Sequence, residues 1–202
     1  MKNQLTALVL ILCFSSSIYS QTEENPWLFG LGFNSINAES SESTNYKLPS
    51  LSLSRYIFDN FSVGINYSEN DVRISNQDLY YYSIDGIIKY TIPGESKILG
   101  VDADPYLFAG YGLSNYGEGD VSFGSLNTSY GPSFGAGINF QLSKNIALNT
   151  GLSYKSLDEK NAYSNLQHVV GIKFNFGKGD SDGDGVPDKK DHCPDLPGLI
   201  EL

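Results

Sequence analysis

The sequence predicts an all-β fold: an eight-stranded antiparallel up-and-down β-barrel that spans a membrane, followed by a short irregular calcium-binding tail. Residues 26–177 alternate between apolar and small or polar side chains with a period of two, which is typical of strands. The face opposite the apolar one is rich in Gly, Ser and Asn and poor in charge. Residues 180–191 carry carboxylates at the spacing of a loop that wraps one Ca²⁺.

Four alternating segments fill the first half of the barrel region. Their apolar faces consist of Trp27, Phe29, Leu31 and Phe33, then Leu51 and Leu53, then Phe61, Val63, Ile65 and Tyr67, and finally Tyr80, Tyr82, Ile84, Ile88, Tyr90 and Ile92. The positions between them are mostly small or polar. Each segment is therefore predicted to be a strand with one apolar face.

Four more segments repeat this pattern in the second half. Their apolar faces consist of Leu107, Ala109, Tyr111 and Leu113, then Phe134, Ala136, Ile138, Phe140 and Leu142, then Ile146, Leu148, Leu152 and Tyr154, and finally Leu166, Val170, Ile172, Phe174 and Phe176. No convincing amphipathic helix interrupts the series. The fold is therefore predicted to be all-β.

Alternation alone does not decide which face lies inside. A soluble lipocalin-like barrel would turn its apolar face inward and expose many Lys and Glu. Small residues instead suit the narrow interior of an eight-stranded barrel, and aromatic residues near the segment ends are typical of membrane-interface girdles. The apolar face is therefore predicted to point outward. Six apolar residues should then be more exposed than Asn139, Ser153 and Gly171, namely Phe29, Phe61, Phe134, Ile138, Leu148 and Phe174.

The connections support the same arrangement. Long outer loops are predicted over residues 38–47, 69–79, 115–128 and 157–165, and tight inner turns near residues 59–60 and 143–145. Alternating long and short connections are typical of outer-membrane barrels. The connection over residues 93–104 is too long for this pattern. It is either an excursion on the inner side or the result of a misplaced strand boundary.

The N-terminus has the layout of a secretory signal peptide. Lys2 is followed by an apolar stretch over residues 5–14 and a short polar region, with cleavage predicted after Ser20. This divides the chain into a signal peptide over residues 1–20, a barrel over residues 21–177 and a tail over residues 178–202. Losing Lys2 changes the formal net charge from −10 to about −11, which disfavours nucleic acid as a partner.

The tail contains a candidate metal site. In a twelve-residue loop that begins at Asp180, carboxylates occupy positions 1, 3, 5, 9 and 12, and Gly185 stands at position 6, where an EF-hand loop turns sharply. The predicted Ca²⁺ ligands are the side chains of Asp180, Asp182, Asp184, Asp188 and Asp191, with Asp188 acting directly or through water, and the carbonyl of Val186. Asp replaces the usual Glu at position 12, and no amphipathic helices flank the loop. The alternative is a solvated acidic linker.

Residues 180–198 resemble one thrombospondin type 3 repeat, in the form found between the barrel and the peptidoglycan-binding domain of OmpA-like outer-membrane proteins. The resemblance implies Ca²⁺ as the cofactor, the cell outer membrane as the location and a periplasmic tail. The barrel ends in Phe174-Asn175-Phe176, which resembles the aromatic signal read by the barrel assembly machinery. Further repeats or a peptidoglycan-binding domain are expected in a longer form, where Cys193 would find a pairing partner.

Charged residues on the predicted inner face are a second candidate site. Asp85, Lys89, Lys155 and Lys173 are expected to form an ionic cluster, either as a gate on a narrow ion path or as a structural plug. Arg55 falls on the outer face near the inner end of its strand, where it can reach lipid headgroups.

Catalysis is not expected, because neither histidine belongs to a nucleophile-and-base arrangement. His168 is placed on the outer face and His192 inside the calcium motif.

The predicted function is a structural outer-membrane anchor, with extracellular loops available for adhesion or recognition. A small-solute pore is the first alternative, and a soluble ligand-binding barrel is the second.

Overall fold

In the part of the chain that the structure describes, nine antiparallel strands make up a closed barrel with one small extension. The computed structural model describes residues 21, 25–38, 45–74, 77–94, 96–98, 100–117, 128–143, 145–157, 163–177 and 192–193. The strands are β1 (Trp27–Ala38), β2 (Lys47–Phe58), β3 (Phe61–Ile74), β4 (Gln77–Thr91), β5 (Ser96–Ile98), β6 (Val101–Gly117), β7 (Thr128–Ser143), β8 (Ile146–Lys155) and β9 (Asn165–Phe176). Eight long strands close the barrel in the order β1-β2-β3-β4-β6-β7-β8-β9, and β9 pairs with β1.

Both ends of the barrel region meet at one rim. Trp27, the first residue of β1, pairs with Phe176, the last residue of β9. We call this rim the terminal end and the opposite rim the loop end. The turn between β2 and β3 lies at the terminal end, where Asp59 and Asn60 have φ values of 41° and 69°. Two consecutive positive φ values are typical of the tight hairpin turns that match strand twist, so the predicted tight turn is confirmed.

The predicted sidedness is confirmed. Phe134 is 57% exposed and Phe29 36%, whereas Asn139 is only 6% exposed. The predicted difference in exposure is weaker at Ile138, because Ile138 is half-buried, as are Ser153 and Gly171. The apolar side chains thus coat the outside of the barrel, and small or polar ones line the interior.

One predicted connection was wrong, and a second, left open in the prediction, contains a misplaced strand boundary. The long outer loop expected over residues 69–79 is instead the continuation of β3 to Ile74 and of β4 from Gln77, paired in register. The misplaced boundary lies in the connection over residues 93–104, where β5 pairs with the first residues of β6. Strand β6 therefore begins at Val101 rather than at Pro105. Tyr side chains and charges had obscured the period of two in the β3–β4 hairpin.

Glycines of β7 make room for two aromatic side chains inside the barrel. A Cβ atom on Gly137 would lie 2.4 Å from the Tyr106 hydroxyl, and one on Gly135 would lie 2.4 Å from the Phe108 ring. The rings of Tyr106 and Phe108 stack with centroids 6.4 Å apart. Small residues on one strand thus let large ones on its neighbour cross an interior of this width. No helix among the described residues is long and apolar enough to span a membrane.

Candidate functional site in the barrel interior

The interior changes character near the loop end. Along β3 the inward residues are Ser62, Gly64, Asn66, Ser68 and Asn70, followed by Val72 and Ile74. These last two belong to an apolar cluster, which we call the seal, made of Ile36, Ala38, Val72, Ile74, Tyr81, Tyr116 and Leu157, with Leu79 and Tyr163 packed against it. Within the seal the rings of Tyr81 and Tyr116 lie 4.9 Å apart. An apolar core therefore fills the loop end of the barrel.

At the same height along the strands, the outer face changes from apolar to charged. Along β3 it passes from Phe61, Val63, Ile65 and Tyr67 to Glu69, Asp71 and Arg73. Arg73 forms an ion pair with Asp78 across the hairpin at 2.7 Å, and the hydrogen bond from Arg73 lowers the pKa of the Asp78 carboxyl. Beyond Tyr67, apolar side chains point inward and charged ones point outward. That is the arrangement of a protein in water.

Two buried asparagines separate the seal from the polar interior. Asn34 donates from Nδ2 to the carbonyl of Glu69 at 2.9 Å and to that of Pro49 at 3.1 Å. Asn70 donates from Nδ2 to Asn34 Oδ1 at 3.2 Å and to the Asn34 carbonyl at 2.9 Å. Because a buried amide must be hydrogen-bonded, these contacts join β1, β2 and β3 at a fixed register.

Below this layer, one ion pair crosses the interior. Lys155 Nζ lies 2.9 Å from Asp85 Oδ1, and both side chains are buried. Lys155 also donates to the Leu113 carbonyl at 2.8 Å, and Ser133 donates to Asp85 at 3.3 Å. The two charges are thus neutralised and supplied with further hydrogen bonds, as a buried pair requires.

The prediction of one four-residue ionic cluster was wrong, because Lys89 and Lys173 lie around Tyr106 instead. Lys173 Nζ is 4.5 Å from the centre of the Tyr106 ring and 3.5 Å from its hydroxyl, and Lys89 Nζ is 5.8 Å from the ring centre. Asn149 donates to the Tyr106 hydroxyl at 2.9 Å and to Asn139 Oδ1 at 2.9 Å. The aromatic ring keeps the two ammonium groups in a layer separate from the ion pair.

Gln21 occupies the terminal end of the interior. Its Oε1 atom accepts hydrogen bonds from Lys89 Nζ, from Ser62 Oγ at 3.0 Å and from Ser54 Oγ at 3.3 Å. Its Nε2 atom donates to the carbonyls of Pro26 at 2.9 Å and Ser54 at 3.0 Å. Every polar atom of this side chain is therefore engaged with the barrel wall or with Lys89. The Gln21 side chain thus lies within the interior at this rim.

Two cavities of the interior are lined by residues of these layers. The larger has a volume of about 60 Å³ and is lined mainly by hydroxyl and amide side chains, with Lys173 and Tyr106 at one side. The smaller has a volume of about 10 Å³ and lies at the terminal end beside Gln21, Lys89, Asp104 and Gln141. Lys173 borders both. The described interior thus combines packed layers with polar space beside Lys173.

Comparison with known proteins agrees with this architecture. Residues 6–183 match the family described as "Outer membrane protein beta-barrel domain". The chain belongs to this family. Outer-membrane barrels of this family lie in the lipid bilayer, so the apolar outer face contacts lipid. A search of curated proteins finds no match.

Solved structures of other outer-membrane barrels share the fold at low sequence identity. The N-terminal barrel domain of OprF from Pseudomonas aeruginosa is 18% identical, with a TM-score of 0.51 over 76% of this chain and 98% of that one. Neisserial surface protein A is 19% identical, with a TM-score of 0.57 over 74% and 97%. OprG from Pseudomonas aeruginosa is 13% identical, with a TM-score of 0.55 over 79% and 100%.

The lipid-facing surface of this outer-membrane barrel carries the predicted aromatic residues with one exception. Trp27, Tyr154 and Phe176 are exposed, whereas Tyr82 is only 1% exposed. Tyr82 was therefore wrongly predicted to contact lipid. The Arg55 guanidinium lies 5.5 Å from the centre of the Trp27 indole at the terminal end, where the charge is placed to meet headgroups.

His168 lies on the outer face, as predicted. Its Nδ1 atom is 2.5 Å from the Tyr46 hydroxyl and its Nε2 atom is 3.0 Å from Thr150 Oγ1. Both ring nitrogens are thus engaged by hydroxyl groups, which satisfies a polar ring on this surface. These contacts join Tyr46, the residue before β2, to β8 and β9.

The predicted calcium ligands Asp180, Asp182, Asp184, Val186, Asp188 and Asp191 lie outside the described residues. His192 and Cys193, which follow them, are described and exposed. Elsewhere in the described ranges, no group of three or more His, Cys, Asp and Glu side chains is placed to hold a metal ion. The calcium site therefore stays a prediction.

Sequence reasoning missed the residues that close the interior. The seal has a signal in the sequence, because along residues 61–74 the apolar positions move from the odd-numbered to the even-numbered residues. Tyr106 stands in the alternation at a position where the other strands carry small residues, which marks it as an interior aromatic. Nothing in the sequence around Gln21 indicates that its side chain lies inside the barrel.

Proposed function

We propose that this outer-membrane barrel is a structural anchor: a lipid-embedded support for a periplasmic tail that binds Ca²⁺. The observation that carries the proposal is the packing of the described barrel interior near both ends. The seal fills the loop end, and Gln21 bonds to interior side chains at the terminal end. A barrel whose interior is occupied in this way is suited to holding a position in the membrane rather than to passing solutes.

The layers between the two ends support the same function. Asn34 with Asn70, the Asp85–Lys155 ion pair and the Tyr106 layer each connect strands that are not neighbours or fix the register of those that are. Interior contacts of this kind make the barrel rigid, because every buried polar group depends on the placement of several strands. Rigidity benefits an anchor and offers nothing to an open pore.

The tail follows directly from β9, at the same rim as the N-terminus of the barrel. We place this terminal end at the periplasmic face, because outer-membrane barrels have short turns there and longer connections outside. Residues 178–202 would then carry the calcium-binding loop formed by Asp180, Asp182, Asp184, Val186, Asp188 and Asp191 into the periplasm. Ca²⁺ would order five clustered carboxylates that otherwise repel one another.

Assembly and surface recognition complete the proposal. Phe174 and Phe176 are exposed on the outer face at the end of the last strand, where the barrel assembly machinery would read them. The loop end would face the cell exterior and present its connections for adhesion. The β3–β4 hairpin, with the exposed Arg73–Asp78 and Lys47–Asp71 ion pairs, would be the most protruding described part of that surface.

A small-solute pore is the second candidate, and one observation favours it. The larger cavity and the two lysines beside Tyr106 provide a polar space within the membrane-spanning part. Rearrangement of Gln21 at one end and of the seal at the other would be needed to connect this space to both sides.

Single-channel recording of the refolded barrel in planar bilayers separates the two candidates. The anchor predicts a silent protein over long recordings, with a large porin in the same bilayer as proof that conductance is detectable. Reproducible unit openings of the wild-type barrel would overturn the anchor and establish the pore. Heat-modifiable gel mobility of the same samples shows that the silent protein is folded.

A further inference from the structure

We propose that the barrel interior binds one small monovalent inorganic anion, of the size of chloride, at the Lys173 ammonium. The site is the larger cavity beside Tyr106. It lies in the part of the barrel that the anchoring function leaves unassigned.

The first argument is the balance of charge. Of the described carboxylates on the inner face, Asp85 pairs with Lys155 at 2.9 Å, and Asp102, near the terminal rim, pairs with Lys97 at 3.5 Å. Asp104 and Lys89 line the same small cavity and carry opposite charges, which leaves one positive charge among these groups. Lys173 forms no ion pair with any described carboxylate, and its one described hydrogen bond is the 3.5 Å contact with the Tyr106 hydroxyl. Lys173 therefore supplies a positive charge that the described interior does not neutralise.

The second argument is burial. Lys173 is 8% exposed, and its ammonium lies against the face of Tyr106. Burying an ammonium without a counter-charge is costly, and a contact with one aromatic ring compensates only part of that cost. A mobile anion at the ammonium would supply the missing counter-charge without requiring an acidic residue.

The third argument is the cavity itself. Its volume of about 60 Å³ exceeds the roughly 10–15 Å³ that one water molecule needs, so it has room for an anion together with water. Its lining includes Ser50, Ser52 and Ser153, whose hydroxyl groups donate to anions as readily as to water. Lys173 repels cations from the same space. A large organic anion does not fit, because the seal, Tyr106 and Gln21 bound the interior.

Urea unfolding of the refolded barrel in detergent, followed by gel mobility, tests the proposal. The midpoint is measured at constant ionic strength while sodium gluconate is replaced stepwise by sodium chloride or sodium bromide. For the wild type we expect the midpoint to rise with halide and then saturate, because a ligand that binds only the folded state stabilises it by mass action. Lys173→Gln should lose this dependence. Lys97→Gln, which changes an exposed lysine near the rim, should keep it.

Three results would overturn the proposal: a wild-type midpoint that does not respond to halide, a response that never saturates, or a response of equal size in Lys173→Gln. If Lys173→Gln does not refold, anomalous diffraction from wild-type crystals grown in sodium bromide decides. A bromide peak in contact with the Lys173 ammonium would support the site, and its absence would exclude it.

Discussion

Lys155 on β8 and Asp85 on β4 form a buried ion pair, 2.9 Å long, between strands that lie three positions apart around the barrel. The pair spans the interior rather than joining neighbours. It therefore fixes the distance between two parts of the wall that no backbone hydrogen bond connects. Since both charges are buried, each one depends on the other for its stability.

Removing one member of this pair should destabilise the barrel more than removing both. Asp85→Asn or Lys155→Met alone leaves one buried charge without its partner, which costs about 3–5 kcal/mol. The double variant leaves no charge and should lie closer to the wild type than either single variant. Urea unfolding followed by gel mobility gives the three free energies of unfolding. If the two single losses simply add in the double variant, the pair is not coupled and this account of it is wrong.

Truncating a side chain of the seal should lower the stability of the barrel, because packing contacts are lost. Ile36 is 2% exposed inside the seal, so Ile36→Ala should lower the free energy of unfolding by about 2–5 kcal/mol. Ile65, on the outer face, is 57% exposed, and Ile65→Ala is the matched control. It removes the same atoms from a surface that contacts lipid in the folded state, and should cost less. Equal losses at the two positions would mean that the seal is not a packed core.

At position 21, Glu should be tolerated better than Ala. Gln21→Ala removes the acceptor of Lys89, Ser54 and Ser62, and leaving buried donors without a partner costs about 1–3 kcal/mol. Gln21→Glu keeps an acceptor beside the Lys89 ammonium but loses the Nε2 donor to the carbonyls of Pro26 and Ser54, so its urea midpoint should lie between those of Gln21→Ala and the wild type. A lower midpoint for Gln21→Glu than for Gln21→Ala would contradict the placement of this side chain.

The tail should bind one Ca²⁺ weakly. We expect a dissociation constant on the order of 10⁻⁴ to 10⁻³ M, the range of extracellular modules, because Asp191 reaches less far than the usual Glu. Calorimetric titration of the refolded full-length barrel measures it, and Asp184→Ala should abolish the heat. Asp195→Ala, outside the twelve-residue loop, is the matched control and should titrate like the wild type. If the heats of Ca²⁺ titration are the same for Asp184→Ala and the wild type, the tail is an acidic linker.

The barrel could be predicted from the sequence because one physical constraint acts on nearly every residue of it. A strand between lipid and a narrow interior must alternate large apolar and small side chains, and Phe134, Gly135, Ala136 and Gly137 show this directly. This constraint does not act on strand residues that lie beyond the lipid. Prediction therefore failed in the β3–β4 hairpin, where residues such as Glu69 and Asp71 were interpreted as loop although they lie in a strand.

The interior contacts were harder to predict, because they depend on strand tilt and on which residues meet across the barrel. The four charges on the predicted inner face were identified correctly as interior. Their partners were not, since Lys89 meets Gln21 and Lys173 meets Tyr106 only once the eight strands have closed. Sequence spacing fixes which face a residue occupies and leaves open its height relative to residues on distant strands.

The composition of the seal has a practical consequence for engineering. Six of its members lie within strands, Leu157 lies two residues beyond β8, and Tyr163 lies two residues before β9. The described core of the loop end is therefore built from the strands and from residues within two positions of them. Variants that leave these positions unchanged should keep the packing of the described core. The strand ends are thus the positions to preserve in any redesign of this rim.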